Sequence, residues 1–466
     1  MSQDHPNILL IQADQMTPFL TGAYGHPVVQ TPNLDRLVRE GVRFDAAYTP
    51  HPVCAPARAC MVTGKWVSHC GAWDNAALLP ADQPTFAHYL TNVGYDTVFS
   101  GKMHFVGPDQ LHGFRRRFST NIYPADYRWT VSMTEKGVPF DQAYTYIGDA
   151  VHVDRWNSNM AYDEEAQCHA LAYLHARGET RRRDEARRRD GGEMSRRPWF
   201  LFMSYHHPHE VFWPPKDLWD LYEDAEIDVP EFPDNLAETY SALDRWLNEY
   251  HGVALPEELR NPDSIRRVRR AYYALVTYVD RKVGELLATL EREGFMEDTV
   301  IVFTSDHGDM LCEKGMVQKR TFYEWSARVP LILRFPDGWK AGTVIDEPVN
   351  LIDLMPTFLD LGGVPGDERL DYDGRSLIGL LDGSDAVGWE TFSENHSDSM
   401  IEAPCFMLRR GAYKYVYIHG HEDQLFDLAS DPREWNNLVH DPDHAAVVAE
   451  MRGRILEVFD PDEIKA

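Results

Sequence analysis

Four short apolar runs, each ending in a polar cluster, constrain this chain more than any other feature. They are Asn7 to Ala13 (NILLIQA), Asp96 to Ser100 (DTVFS), Pro198 to Tyr205 (PWFLFMSY) and Thr299 to Thr304 (TVIVFT). None alternates cleanly between polar and apolar residues, so each reads as a strand buried on both faces, as in a parallel sheet. Segments of helical period lie between them. Thr31 to Glu40 reads as a helix, with Thr31 as N-cap, Pro32 at its first position and Gly41 past its end. Thr85 to Asn92 and Glu164 to Arg177 read as two more. Ser264 to Glu293 reads as a long one, with Val268, Tyr272, Leu275, Val279, Val283 and Leu286 on one face and Gly294 closing it. Pro330 to Phe335 supplies a fifth apolar strand. Alternating strands and helices predict an α/β fold with a large, mostly parallel central sheet flanked by helices.

After Gly366 the pattern changes. Cys405 to Arg409, Tyr413 to Ile418 and Gln424 to Leu428 read as short strands, followed by a last helix from about Asp443 to Phe459. The expected organisation is an α/β domain over 1–365 and a small α+β subdomain over 366–466. Val106 to about Asp163 is aromatic-rich and loop-like, a texture that often shapes a pocket. Phe212 to Pro262 reads as an excursion over the surface. The basic run from Arg181 to Gly192 alternates charges of both signs and reads as a solvated helix end and loop.

The formal net charge is −28 over 466 residues. Such a surface argues against nucleic acid and anionic membranes as partners, and an anionic substrate would need a local positive exception. The six cysteines show no CxxC pair and no dense framework. Met1 to Pro6 lacks the basic and apolar parts of a signal peptide, and no apolar run reaches the length of a membrane span. A reduced, cytoplasmic protein is the expectation, and a homo-oligomer is compatible with it.

Functional side chains of parallel sheets sit just beyond strand C-termini. Here those positions hold Asp14-Gln15, Lys102-Met103-His104, Asp306-His307 and, after the third strand, His206-His207-Pro208-His209. A fifth cluster is Cys54-Ala55-Pro56-Ala57-Arg58. Pro56 suits a first helical position, which puts Cys54 at or just before a helix N-terminus with Arg58 one turn on. Free N–H groups, the helix dipole and a guanidinium then favour an anion and depress a thiol pKa, making Cys54 a nucleophile candidate. A lone cysteine is more often a small core hydrophobe, and a lone strand-end aspartate more often caps a turn. Five clusters on one sheet edge favour the functional reading. The carboxylates and amide suit a hard divalent cation such as Ca²⁺, and an imidazole moves the choice towards Mn²⁺.

These residues carry a resemblance. The chain resembles the type I sulfatases of the alkaline-phosphatase superfamily: Cys54 to Arg58 fits their C-x-P-x-R signature, and Thr63-Gly64-Lys65 fits the T-G-K/R that follows it. Asp306, within Ser305-Asp306-His307-Gly308, matches the family's second strand-end acid. Asp431 to Leu438 (DPREWNNL) resembles its C-terminal D-P-x-E-x-x-N-L. The resemblance implies that a formylglycine-generating enzyme oxidises Cys54 to formylglycine, whose hydrate attacks sulfur. It implies that Asp14, Gln15, Asp306 and His307 hold the metal together with the modified Cys54. Arg58, Lys102 and Lys319 would cradle the sulfate oxygens. His207 is the expected proton donor to the leaving alcohol, with His206 and His209 as neighbouring rivals, and His104 the base that returns the sulfated hydrate to aldehyde. Asn75 sits where the family often has a polar oxygen ligand.

Gln15 and His307 resemble choline sulfatases and the related arylsulfatase and phosphonate monoester hydrolase group. Gly101 to Phe114 and Tyr123-Pro124-Ala125-Asp126 look like choline sulfatase, and the resemblance implies that Trp129 is an aromatic wall for the choline ammonium. The expected activity is hydrolysis of a small organic sulfate monoester, most like choline sulfate. Phe140 to Trp156 does not resemble the choline pocket, which keeps a promiscuous arylsulfatase or phosphonate monoester hydrolase as the alternative. A non-catalytic anion-binding homologue is the alternative of another class.

Overall fold

Backbone order follows from the buried strands. The computed structural model describes residues 5–123, 143, 146–147, 151–189, 197–396 and 401–465. Its principal sheet contains β1 (Asn7–Asp14), β2 (Val42–Phe44), β3 (Asp96–Gly101), β4 (Arg116–Arg117), β5 (Trp199–Pro208), β6 (Thr299–Ser305), β7 (Leu331–Arg334) and β8 (Thr343–Ile345). Their order is β4-β3-β5-β1-β6-β7-β2-β8. Neighbours run parallel except where β7 meets β6 and β2, so the expected fifth strand is present but antiparallel. Every residue of β1 is buried, because helices cover both faces. Ile8 and Leu10 point into one hydrophobic core and Leu9 and Ile11 into the other.

The register lines up the strand ends. Ala13 pairs with Ser305, Asp14 with Pro208 and Gly101 with Ser204, which puts the polar clusters on one edge. Gly101 is required there. Its φ is +103°, and a Cβ would lie 1.8 Å from the Ser204 carbonyl oxygen.

The helices depart from expectation mainly at their ends. We use α1 for Pro32–Glu40, α2 for Cys54–Thr63, α3 for Ser158–Arg189 and α4 for Pro262–Glu293. Helix α4 starts two residues early because Asn261 caps it, accepting from the Ser264 N–H. Its predicted stripe is buried. Helix α3 runs through the arginine segment to Arg189 rather than stopping near Arg177. Arg181–Glu185 (3.2 Å) and Arg183–Glu179 (3.4 Å) pair along it, and Arg182 pairs with Glu293 at the end of α4, so charge pairs carry the helix on without an apolar stripe. Among the described residues no helix is long and apolar enough to cross a membrane.

A second, antiparallel sheet contains β9 (Thr391–Asn395), β10 (Cys405–Arg410), β11 (Tyr413–Ile418) and β12 (Gln424–Asp427), in that order. Strand β9 was not expected: its TFSEN sequence is largely polar, yet all five residues are buried. The DPREWNNL segment ties this sheet to the rest. Glu434 accepts from the Glu324 N–H (2.8 Å) and pairs with Lys414, which also bonds Glu324 Oε1 (3.0 Å) and the Phe322 carbonyl (2.8 Å). Asn437 accepts from the Leu425 N–H (2.9 Å). The loop so fixed, 316–324, carries Lys319. Glu434→Ala would leave the Glu324 N–H without its buried acceptor and take from Lys414 one of its two carboxylate partners. A loss of about 3 kcal/mol in chemical denaturation is the expected outcome for breaking such a pair.

Candidate functional site

Helix α2 begins at Cys54, with Val53 extended before it. Pro56 is therefore its third residue rather than its first, still within the turn whose N–H groups have no helical acceptor. The first intrahelical bond is Ala57 N–H to Val53 O (3.0 Å). Asn75, expected near substrate, accepts from the Ala55 N–H at 2.9 Å and so braces the turn that carries Cys54.

Arg58 is fully buried one turn along. Its Nε donates to Asp306 Oδ2 (2.9 Å) and Nη2 to Asp14 Oδ2 (2.9 Å), while Nη1 donates to the Lys102 carbonyl (2.5 Å) and Ser204 Oγ (2.8 Å). Four of the five guanidinium N–H groups are thus used on the protein. The fork joins two strand-end carboxylates rather than standing open as a sulfate cradle.

The other carboxylate oxygens turn towards one centre. Asp14 Oδ1 lies 3.9 Å from Cys54 Sγ and 4.0 Å from His307 Nε2. Asp306 Oδ1 lies 3.7 Å from His307 Nε2, which is 3.1 Å from Cys54 Sγ. Donor atoms of Asp14, Cys54, Asp306 and His307 all fall within 4.8 Å of one another. Two carboxylate oxygens and an imidazole converging in a buried place fit a hard to borderline divalent cation.

The charges are strongly coupled. Burial and the Cys54 charge push Asp14 up, but Lys102, His209 and Arg58 hold it well below the usual carboxylate range. Asp306 moves up, through burial and the nearby Asp14 charge. Burial opposes ionisation of the Cys54 thiol; Lys102, Lys319, His307 and a hydrogen bond with His104 overcome it and hold the pKa well below that of an ordinary cysteine. Burial pushes His104 down. Lys102 pairs with Asp14 and stands 4.7 Å from the centre of the Tyr123 ring. Gln15 and His104, just past their strand ends, both take φ of +63°, a left-handed turn that is costly for such residues.

Gln15 joins a second network. Its Nε2 donates to Glu210 Oε2 (2.7 Å) and Asp309 Oδ2 (2.5 Å), and its Oε1 accepts from Lys319 Nζ. Two acceptors on one side and an ammonium on the other fix which way the amide faces. Its oxygen is therefore held by Lys319 in this arrangement. Asp309 also accepts from the Tyr146 hydroxyl, and burial together with Glu210 raises its pKa to about 6.

The histidines at the end of β5 divide: the His206 and His209 rings pack 4.7 Å apart, and His207 turns away from them. His207 Nδ1 lies 2.7 Å from Asp163 Oδ2 and its ring packs 5.4 Å from that of Tyr278, so it faces α3 and α4. His209 Nε2 lies 2.8 Å from Lys319 Nζ and 3.9 Å from Asp14 Oδ1. The structure brings together Asp14, Gln15, Cys54, Arg58, Lys102, His104, Asp306, His307 and Lys319, with Asn75 behind Cys54. It adds His209 and sets His207 on the opposite side of its strand. Trp129 lies outside the described residues. Sequence reading missed Glu210 and Asp163. Glu210 had a signal in its place beside His209; Asp163, on α3, had none.

Known proteins resemble this chain over most of its length. The sulfatase family profile matches residues 6–364, and the profile of the N-sulphoglucosamine sulphohydrolase C-terminal region matches 312–460. A choline-sulfatase of Rhizobium meliloti is 38% identical over 448 residues, 95% of this chain and 84% of that one. An arylsulfatase of Clostridium perfringens is 28% identical, covering 98% of this chain and 95% of its own. The crystal structure of a phosphonate monoester hydrolase of Agrobacterium radiobacter superposes with a TM-score of 0.76 at 25% identity, covering 97% of this chain and 95% of that one.

The depressed thiol can be tested on unmodified protein. Between about pH 6 and pH 8, alkylation of an ordinary cysteine rises with thiolate fraction. Cys54 should reach its full alkylation rate at a lower pH than a free cysteine peptide does, as followed by peptide mass spectrometry.

Proposed function

The chain belongs to the sulfatase family and is a sulfuric ester hydrolase; from that premise we propose that it cleaves small organic sulfate monoesters, choline sulfate foremost, with an oxygen nucleophile derived from Cys54. The observation that carries the reading is the position of Cys54. It stands at the first residue of α2, 3.1 Å from His307 and within the field of Lys102 and Lys319. Conversion to formylglycine by a formylglycine-generating enzyme, in a reducing compartment such as the cytoplasm, followed by addition of water to the aldehyde, puts a hydroxyl where Sγ now lies.

Asp14, Asp306 and His307 would hold one divalent cation, Ca²⁺ or Mn²⁺, together with the converted Cys54. Gln15 would join them once its oxygen leaves Lys319. When bound, such an ion supplies Lewis-acid stabilisation of charge on the ester and acidifies the nucleophile. Arg58 keeps the two carboxylates in place. Lys102 and Lys319 provide the positive charge that an anionic ester needs in this acidic protein. His104, held neutral by burial and hydrogen-bonded to the Cys54 position, accepts a proton there. His209, rather than His207, donates the proton to the leaving alcohol, because it stands beside Lys319 and Asp14.

The likeness to a choline-sulfatase over 95% of the chain favours a quaternary ammonium leaving group. The likeness to a phosphonate monoester hydrolase favours a second reading, phosphonate monoesters as alternative substrates, since transfer at sulfur and at phosphorus needs similar equatorial charge stabilisation.

Peptide mass spectrometry across Cys54 should show a loss of roughly 18 Da, the difference between CH₂SH and an aldehyde, from oxidation of this cysteine. An active enzyme with only unmodified Cys54 would sink the nucleophile. Choline sulfate should exceed phenylphosphonate in kcat/KM; the reverse order would favour the second reading. His209→Ala should cost roughly a hundred- to ten-thousandfold in kcat, the usual worth of a general acid, and His207→Ala much less. Equal losses would restore His207 as a candidate.

A further inference from the structure

Glu210 has no part in the steps above, yet it touches more of the site than any other unused carboxylate among the described residues. It follows His209 directly, and its side chain is 21% exposed. Oε2 lies 3.2 Å from His209 Nδ1 and accepts from Gln15 Nε2 at 2.7 Å, while Oε1 accepts from Gln318 Nε2 at 2.7 Å. The Glu210 backbone carbonyl also lies 2.9 Å from His209 Nδ1. The hydrogen bond to the main-chain carbonyl puts a proton on Nδ1, and the carboxylate beside it adds an ion-pair contact at 3.2 Å. The other nitrogen, Nε2, accepts from Lys319 Nζ at 2.8 Å and lies 3.9 Å from Asp14 Oδ1; it holds a proton once Lys319 turns to the oxygens of an anionic ester. A carboxylate beside one nitrogen helps to fix the plane and place of an imidazole. The side chains of Gln15 and Gln318 anchor Glu210 from behind, so it cannot swing off the ring without losing both bonds. His206 shows the contrast: its ring contacts the Glu210 carbonyl only at 3.4 Å, with no carboxylate among the described residues paired to it.

We propose that Glu210 is a positioning residue for proton donation, holding His209 so that Nε2 delivers its proton to the departing oxygen of the ester. This rests on the reading of His209 as the proton donor. As the nucleophile oxygen bonds to sulfur, the bond from sulfur to the leaving oxygen breaks and its electron pair goes to that oxygen. The Nε2 proton joins it, and His209 is left neutral with Nδ1–H still on Glu210. No oxidant or co-reactant is needed.

The test uses the converted, metal-loaded enzyme and sulfate monoesters whose leaving phenols range from 4-nitrophenol to phenol. Proton donation matters most for the poorer leaving group. Glu210→Ala should therefore lose roughly tenfold more kcat/KM on phenyl sulfate than on 4-nitrophenyl sulfate, within the range found when a partner that orients a functional histidine is removed. Glu210→Gln keeps the size and one acceptor and should recover part of that difference. His209→Ala should steepen the dependence further. If His209→Ala steepens it and Glu210→Ala lowers all esters equally, the positioning role fails and the proton donor stands. If His209→Ala lowers all esters equally, both fail together. A crystal structure of Glu210→Ala in which the His209 ring keeps its plane and place would also overturn the role, whatever the rates.

Discussion

The site depends on one buried guanidinium. Arg58 holds Asp14 and Asp306, from two neighbouring strands, through one oxygen each, and so points the other oxygen of each into the same space. Two carboxylates this close repel, and burial alone would drive both towards the neutral acid. A fixed cation behind them keeps them together without filling the space in front. Its planar fork does this in a way a lysine could not. The arrangement needs α2 to meet the ends of β1, β3, β5 and β6 at one point, which the shared register supplies.

Around this core the remaining charges divide by side. Lys102 lies next to Asp14, and Lys319 reaches in from a separate loop, so two ammonium groups stand at the centre although the protein is strongly acidic. Gln15, Gln318, Glu210 and Asp309 form a bonded layer behind Lys319 and His209. Loops rather than strands carry Lys319 and Gln318, and the loop has its own anchor. Glu434 and Lys414 of the C-terminal sheet fix Glu324 and Phe322, a few residues along. The DPREWNNL segment thus acts on the site from a distance, by ordering the backbone that presents a lysine to it.

Most of the fold was legible because double burial leaves a plain mark: a strand covered on both faces must be apolar throughout. Strand β9 escaped notice because Ser393, Glu394 and Asn395 are polar residues buried by tertiary contacts, which a hydropathy pattern reads as loop. The continuation of α3 through the arginines escaped for a related reason, since one of its supports, Glu293, comes from another helix.

The sequence by itself determined the strands, the polar residue at each strand end, and the Cys54 to Arg58 signature with the family it implies. These are local matters, set by which residues can be buried and which must turn the chain. Tertiary structure alone decided that His209 rather than His207 lies beside Lys319 and Asp14, because Asp163, 44 residues from His207, holds that ring on the far side. It also decided that Arg58 serves the carboxylates and Asn75 the helix N-terminus. Identity gives a side chain its chemistry, but the partner that takes up its donors or acceptors comes from elsewhere in the fold.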